Sequence, residues 1–218
     1  GGVLNVSGGI GSLGLANATL DISTGAAVSL LQTTQASLTQ TLTGAGNLQT
    51  NGAVVFNRNN TGFTGTFTIG SGVAIFNVDD AVGSANIVAN GELRLGDITL
   101  DNNVAGQGFI RKSSAGTTTL SGINTHSDTF IDAGRLVAIG GAALGRGAVI
   151  TQAGTVLEIN QATNASINGI FQGAGAFVKS GAGDLTLTQT GVFGTQITGG
   201  TSITGGRLII GGATTLGT

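Results

Sequence analysis

The chain has 218 residues, with 8 Lys or Arg against 10 Asp or Glu, so its formal net charge is −2 and only 8% of it is charged. Neutralising phosphates takes clustered cations, which excludes a nucleic-acid partner. Glycine contributes 41 residues while Pro, Cys, Met, Trp and Tyr are absent, which removes disulfide frameworks, thiolate metal sites and cysteine nucleophiles. The longest apolar runs, such as Ala53 to Phe56 and Leu136 to Ile139, are far short of the ~18 residues of a membrane helix. A membrane barrel is not expected either, because Tyr and Trp build its interfacial girdles. Without any Met, Gly1 is not expected to be a native start, and the chain reads as a piece of something larger or a processed product. Its 40% hydrophobic content is too high for a disordered chain.

Taken along the chain, short apolar-polar alternations fall at Val3 to Val6, Thr19 to Ile22, Leu93 to Leu95, Val156 to Ile159, Leu185 to Thr188 and Arg207 to Ile210. This period of two predicts strands. Between them stand Asn51-Gly52, Asp79-Asp80, Asn90-Gly91, Gly140-Gly141, Gly199-Gly200 and Gly205-Gly206, expected to supply positive φ at tight corners. No window of a dozen residues carries an apolar stripe at helical spacing, so the expected helix content is close to nil.

The strands repeat. A shift of 67 lays Gly106 to Gly122 on Gly173 to Gln189 with eight identities in 17 positions, among them Lys112/Lys179, Ser113/Ser180 and Leu120/Leu187. A weaker copy begins at Gly44-Ala45-Gly46, a comparable interval before Gly106. Each copy leads into a Gly-x-apolar strand, at Gly72-Val73, Gly134-Arg135-Leu136 and Gly206-Arg207-Leu208. The chain is therefore expected to be one domain, spanning 1–218, of three degenerate repeats of about 62–73 residues, each equal to three turns of a solenoid.

The expected fold is all-β, a right-handed parallel β-helix (β-solenoid) of about 10 coils and about 50 Å, a fragment of a longer rod. Leu, Ile, Val, Ala and Phe are expected inside, with Thr, Asn, Ser and Gln outside. The runs Thr39-x-Thr41-x-Thr43, Thr64-x-Thr66-x-Thr68 and Thr186-x-Thr188-x-Thr190 would form outward rows of hydroxyls. Extra residues around Phe193 to Gly199 are expected to protrude as a loop, and Gly211 to Gly217 repeats Gly140 to Gly145 before the chain stops.

The succession Gly-x-Gly, apolar pair, Lys, Ser, Gly, Leu-Thr-Leu resembles the autotransporter-associated β-strand repeat of bacterial type V passenger regions. It is clearest at Gly173 to Thr188 followed by Ile203 to Ile209, and at Gly106 to Thr125 followed by Phe130 to Leu136. The chain departs from the family in two places. His126-Ser127-Asp128 follows Asn124-Thr125 where the family has an aromatic and a glycine, and the first copy lacks the lysine. The resemblance implies a non-enzymatic surface stalk or adhesin, involved in attachment or virulence. It also implies export with the help of a C-terminal outer-membrane barrel, and as partners host-cell or matrix molecules or other copies of the rod.

Three other chemistries fit the residues less well. A polysaccharide-degrading β-helix enzyme needs clustered carboxylates, but Asp79-Asp80 reads as a turn, Asp97 and Asp101 as scattered, and Glu92 with Arg94 as a solvated ion pair. Asp184, after Gly181-Ala182-Gly183, is a single weak echo of a Ca²⁺-binding repeat. His126 has no metal-ligating partner in sequence and reads as a surface-loop residue, and Gly8-Gly9-Ile10-Gly11 lacks the helix and Lys of a phosphate loop. Arg111-Lys112 and Lys179 read as a solvated stripe rather than a glycan site. An ice-binding β-solenoid would use the Thr rows, but needs constant coil length. Sequons at Asn5, Asn17, Asn59 and Asn164 are explained by composition. No catalytic, cofactor or metal residue is assigned.

Overall fold

A computed structural model describes residues 2–7, 17–188, 196–211 and 215–216. Strands this short are not stable as isolated hairpins, and every pairing here is parallel, each strand lying on its counterpart one coil away. Register shows that coil length varies: a short coil brings Phe109 over Glu92, and a longer one brings Gln196 over Gln172. The product is a β-solenoid with three faces.

The second face is continuous and ten strands deep, from Ala36–Leu38 to Thr215–Leu216. At about 4.8 Å per strand it spans about 43 Å. The third face begins as a two-stranded patch, Thr19–Asp21 with Thr41–Thr43, and becomes a six-stranded sheet from Thr99–Leu100 to Thr201–Ile203. The first face has six strands from Val3–Ser7 to Val104–Ala105, then a gap, then three more: Ala165–Ile167, Leu185–Leu187 and Leu208–Ile210. The one helical element described is a 3₁₀ turn, Gly141–Leu144, which stands in that gap.

Because alternate side chains face inward, one apolar ladder runs up the middle. Val54, Ala74, Leu93, Ile110, Thr129, Val149 and Phe171 stack in register, all buried. Phe67 from the first face packs on Phe56 and Phe76 of the second, ring centroids 5.2 and 5.8 Å apart. Leu185 and Leu187 are both inside.

Polar residues depart from the expected division. Asn60, Asn102 and Asn124 point in, and their amides replace ladder bonds at corners of the coils. Asn60 Oδ1 accepts from Leu42 N at 2.7 Å, Asn124 Oδ1 accepts from Val104 N at 2.8 Å, and Asn102 Nδ2 donates to Gly83 O and Ala85 O. Gln32, Gln40 and Gln161 are also buried. Corner backbone has peptide groups that no sheet satisfies, so a short amide inside is the compensation.

The corner glycines serve two purposes. Gly140 and Gly206 have the expected positive φ, 79° and 61°. Gly52 and Gly91 do not; with Gly72 and Gly108 they form a column in which a Cβ would come within 3.0 Å of a carbonyl oxygen one coil below. There the absence of a side chain, not backbone freedom, lets the coils stack.

The repeat is also not three whole coils. Three steps up the second face from Lys112 lead through Ile131 and Thr151 to Gly173, whereas the matching Lys179 lies one face further, on the third. Each copy is displaced by three coils plus one face. The glycine cluster Gly8 to Gly11, Thr190, residues 193–195 of the expected loop and the stretch 212–214 and 217–218 lie outside the described residues. The rest of that loop does not protrude as expected: Gln196–Ile197 pairs with Gln172 and Gly173 as a strand of the second face, and Ile197 is buried.

Candidate functional site

On the outside of the second face, register brings together residues far apart in sequence. Glu92 and Arg94 lie beneath Phe109 and Arg111, and Arg111 beneath Phe130. The Arg111 guanidinium sits 4.7 Å from the centroid of Phe130 and 5.5 Å from that of Phe109, and the rings meet edge to face at 5.3 Å. Its Nη1 donates to Asp132 Oδ2 at 2.6 Å and its Nε lies 3.4 Å from Glu92 Oε1, which also pairs with Arg94 at 2.7 Å. Around this network Val73, Ile75, Ile150 and Ile170 occupy the same outward parity and are half-buried. Outward positions here were expected to be Thr, Asn, Ser and Gln. The sequence contains the alternation, but which parity faces out depends on register with other coils.

Thr41, Thr43, Thr64, Thr66, Thr68, Thr186 and Thr188 face outward while the Thr39 hydroxyl is buried, and the rows do not stack on one another. Thr66 lies between Asn47 and Asn86, and Thr68 between Gln49 and Val88. That arrangement lacks the regular hydroxyl array an ice-binding surface requires.

The acidic candidates are corner braces. Asp80 has φ 53° in a turn and accepts from Asn59 at 2.9 Å, while Asp79 accepts from Thr99 N at 2.7 Å. Glu92 and Arg94 form the expected ion pair. Asp184 takes both a guanidinium bond at 2.6 Å and the backbone N–H of Arg207, which holds its carboxyl below the usual range. Burial pushes Glu158 up, but hydrogen bonds from Ser180 and Arg135 outweigh it and leave its pKa lowered. Among the described residues no three His, Cys, Asp or Glu side chains group as a metal site would.

The lysines are not a solvated stripe. Lys112 and Lys179 are fully buried and stand in the core ladder, Lys112 between Leu95 and Ile131, Lys179 between Ile159 and Ile203. Each stem fills a leucine-like position and each ammonium turns to a corner. Lys179 Nζ donates to the carbonyls of Ser180, Gly181 and Gly205 at 2.6, 2.9 and 2.9 Å. Lys112 Nζ donates to Ser114 and to Asp97, the latter at 2.8 Å; hydrogen bonds from Lys112 and Ser114 lower the Asp97 pKa.

His126 is not on the surface either. It is fully buried where the first face is interrupted, with Nε2 2.9 Å from Thr129 Oγ1 and no hydrogen-bond partner for Nδ1. Burial lowers its pKa from 6.5 to about 4, against a small opposing pull from Asp128. Gly145 lies directly over the ring, where a Cβ would clash with Cε1 and Nε2. Beyond Gly145 opens a groove of about 480 Å³ between the 3₁₀ turn and the strand Ala165–Ile167.

Against known proteins, residues 110–138 and 177–210 each match a family described as passenger-associated-transport-repeat. The first residues of the two segments, Ile110 and Phe177, are related by the same shift at which the sequence aligns with itself. With the parallel solenoid, these matches support an autotransporter passenger repeat domain. Passenger repeats imply a secreted or outer-membrane-anchored surface protein with a C-terminal barrel in the full-length chain. No curated protein and no solved structure matches.

Proposed function

We propose that this domain is a rigid, surface-displayed section of a bacterial autotransporter passenger that makes adhesive contacts and performs no catalysis. Its partners are host-cell or matrix molecules, or a second rod, and it is anchored through a barrel outside these residues. The observation that carries this reading is the outward network on the second face: Phe109, Phe130 and Arg111, tied to Glu92 and Asp132 and bordered by Val73, Ile75 and Ile150. Apolar side chains on the solvent face of a sheet stabilise the rod little, whereas aromatic and Arg anchors are what contact surfaces use.

The test is adhesion of beads coated with the domain to cells and matrix proteins, alongside Phe109→Ser/Phe130→Ser. Both rings face outward, so the double variant keeps its β-solenoid circular dichroism while adhesion falls. Equal adhesion by both proteins refutes this network as the contact surface, and no adhesion by either with no rod pairing in sedimentation leaves a spacer and removes the adhesive role.

A further inference from the structure

The second and third faces run unbroken past the level at which the first face stops. There the chain passes through Asn124 to His126 and then the 3₁₀ turn Gly141–Leu144 instead of forming strands, so Ala165–Ile167 becomes a sheet edge inside the rod. Its ladder to Leu185–Leu187 uses the backbone of two residues: Ala165 N donates to Asp184 O at 2.9 Å, and Thr188 N donates to Ile167 O at 3.0 Å. Alternate residues of a parallel strand bond to opposite sides. Ser166 therefore turns its N–H and C=O toward the groove, where no backbone group among the described residues meets them.

The groove's volume, about 480 Å³, lies in the range of ligand sites. Leu144, Val149, Ile167 and Phe171 give it an apolar lining. Arg146 also lines it, exposed and with no carboxylate within ion-pair distance among the described residues. An unpaired strand edge, an apolar floor and one unmatched cation select an extended peptide over a sugar or a flat apolar ligand.

We propose that the groove takes an extended peptide segment, added as the missing strand on the free edge of Ala165–Ile167, with an apolar side chain on the floor and a carboxylate at Arg146. Main-chain bonds to Ser166 supply the register, and the floor and Arg146 supply selectivity. The site does not depend on the adhesive reading of the second face, from which it is separate.

The probe is acetyl-Asp-Leu-Thr-Leu-Thr amide, the sequence of Asp184 to Thr188 that already pairs with the other edge of the same strand. Saturable binding is expected by calorimetry below about 1 mM, with the Ser166 amide becoming protected from hydrogen exchange. Ser166→Pro deletes the donor aimed at the groove and leaves the bonds of Ala165 and Ile167 in place, so affinity drops about tenfold or more. Arg146→Ala abolishes the preference for this peptide over its Asn analogue. No binding at about 1 mM, equal binding by a folded Ser166→Pro protein, or an unprotected Ser166 amide in the saturated wild type overturns the proposal. So does a peptide-free dimer that Ser166→Pro dissolves, which would assign the edge to a second copy.

Discussion

His126 makes stability depend on pH in a window of its own. Its pKa is about 4 in the folded chain and 6.5 when exposed, so between those values the unfolded chain binds the extra proton. The contribution is therefore fully present above 6.5 and is lost as pH falls toward 4. Proton linkage gives about 2 kcal/mol lost between pH 7.5 and 5, rising to about 3.4 kcal/mol once the folded ring is protonated. The neighbours do not cancel this: Asp128 opposes the shift only weakly, and Arg146, whose N–H bonds His126 O, is another cation. The control is His126→Phe, which places an aromatic where the resembling family has one and cannot titrate. Any packing cost of the larger ring is the same at both pH values and drops out of the difference. Urea unfolding at pH 7.5 and 5, followed by circular dichroism because the chain has no Trp or Tyr, should show wild type losing about 2 kcal/mol more than the variant. Asp97, Asp184 and Glu158, whose pKa values are lowered, lose their contributions mainly below this window and equally in both proteins. An identical pH dependence would show that the ring is hydrated and refute the buried assignment.

Three further outcomes follow from the packing. Lys179→Met keeps the stem but leaves three carbonyls without their donor, an expected loss of about 2–3 kcal/mol; Lys112→Met costs about 1, because Asp97 is 47% exposed and rehydrates. The reverse order of urea midpoints would sink the corner-brace reading. Gly91→Ala forces a Cβ onto Gly72 O and should cost about 1–3 kcal/mol, whereas Gly154→Ala, at φ +80° in open space, costs about 1 from backbone strain alone; thermal melts that rank them oppositely would disprove close stacking. Leu187→Asp buries an unpaired carboxylate at a position 1% exposed, with an expected loss above about 4 kcal/mol and loss of surface display in the full-length protein. An unchanged melt and unchanged display would remove Leu187 from the core.

The fold was legible because its signal is local. Alternation over Leu93 to Leu95 and Leu185 to Thr188, with glycine at the corners, already specifies short strands, and self-similarity specifies stacking. What was not legible required knowing which residue lies one coil below. Gly52 and Gly91 look like turn glycines until the carbonyls of Gln32 and Gly72 are placed beneath them. Lys112 and Lys179 read as solvent-facing because charge argues for exposure, yet they share the inward parity of Ile110 and Phe177, two positions earlier in each strand. That parity was the one available signal. His126 gave none: its burial comes from the interruption of the first face and from Gly145 above it.

Register also explains where function can vary in such a rod. Between Gly106 to Gly122 and its copy, the shared residues Lys112/Lys179, Ala115/Ala182, Gly116/Gly183 and Leu120/Leu187 are inward or at corners. The outward pairs Phe109/Ala176 and Arg111/Val178 differ. Thr119/Thr186, outward on its strand, is also shared, so the repeat encodes coil stacking and leaves free the outward parity of the strand that carries Phe109 and Arg111. Since each copy is displaced by three coils plus one face, the corner of Lys112 faces a different side of the rod from that of Lys179. Repeated elements wind around the axis instead of forming a stripe, so a partner docking along one flat face meets unrepeated residues such as the Phe109–Arg111–Phe130 network. A contact surface in this architecture is read from stacked register, and the repeat motif marks only the scaffold that holds it.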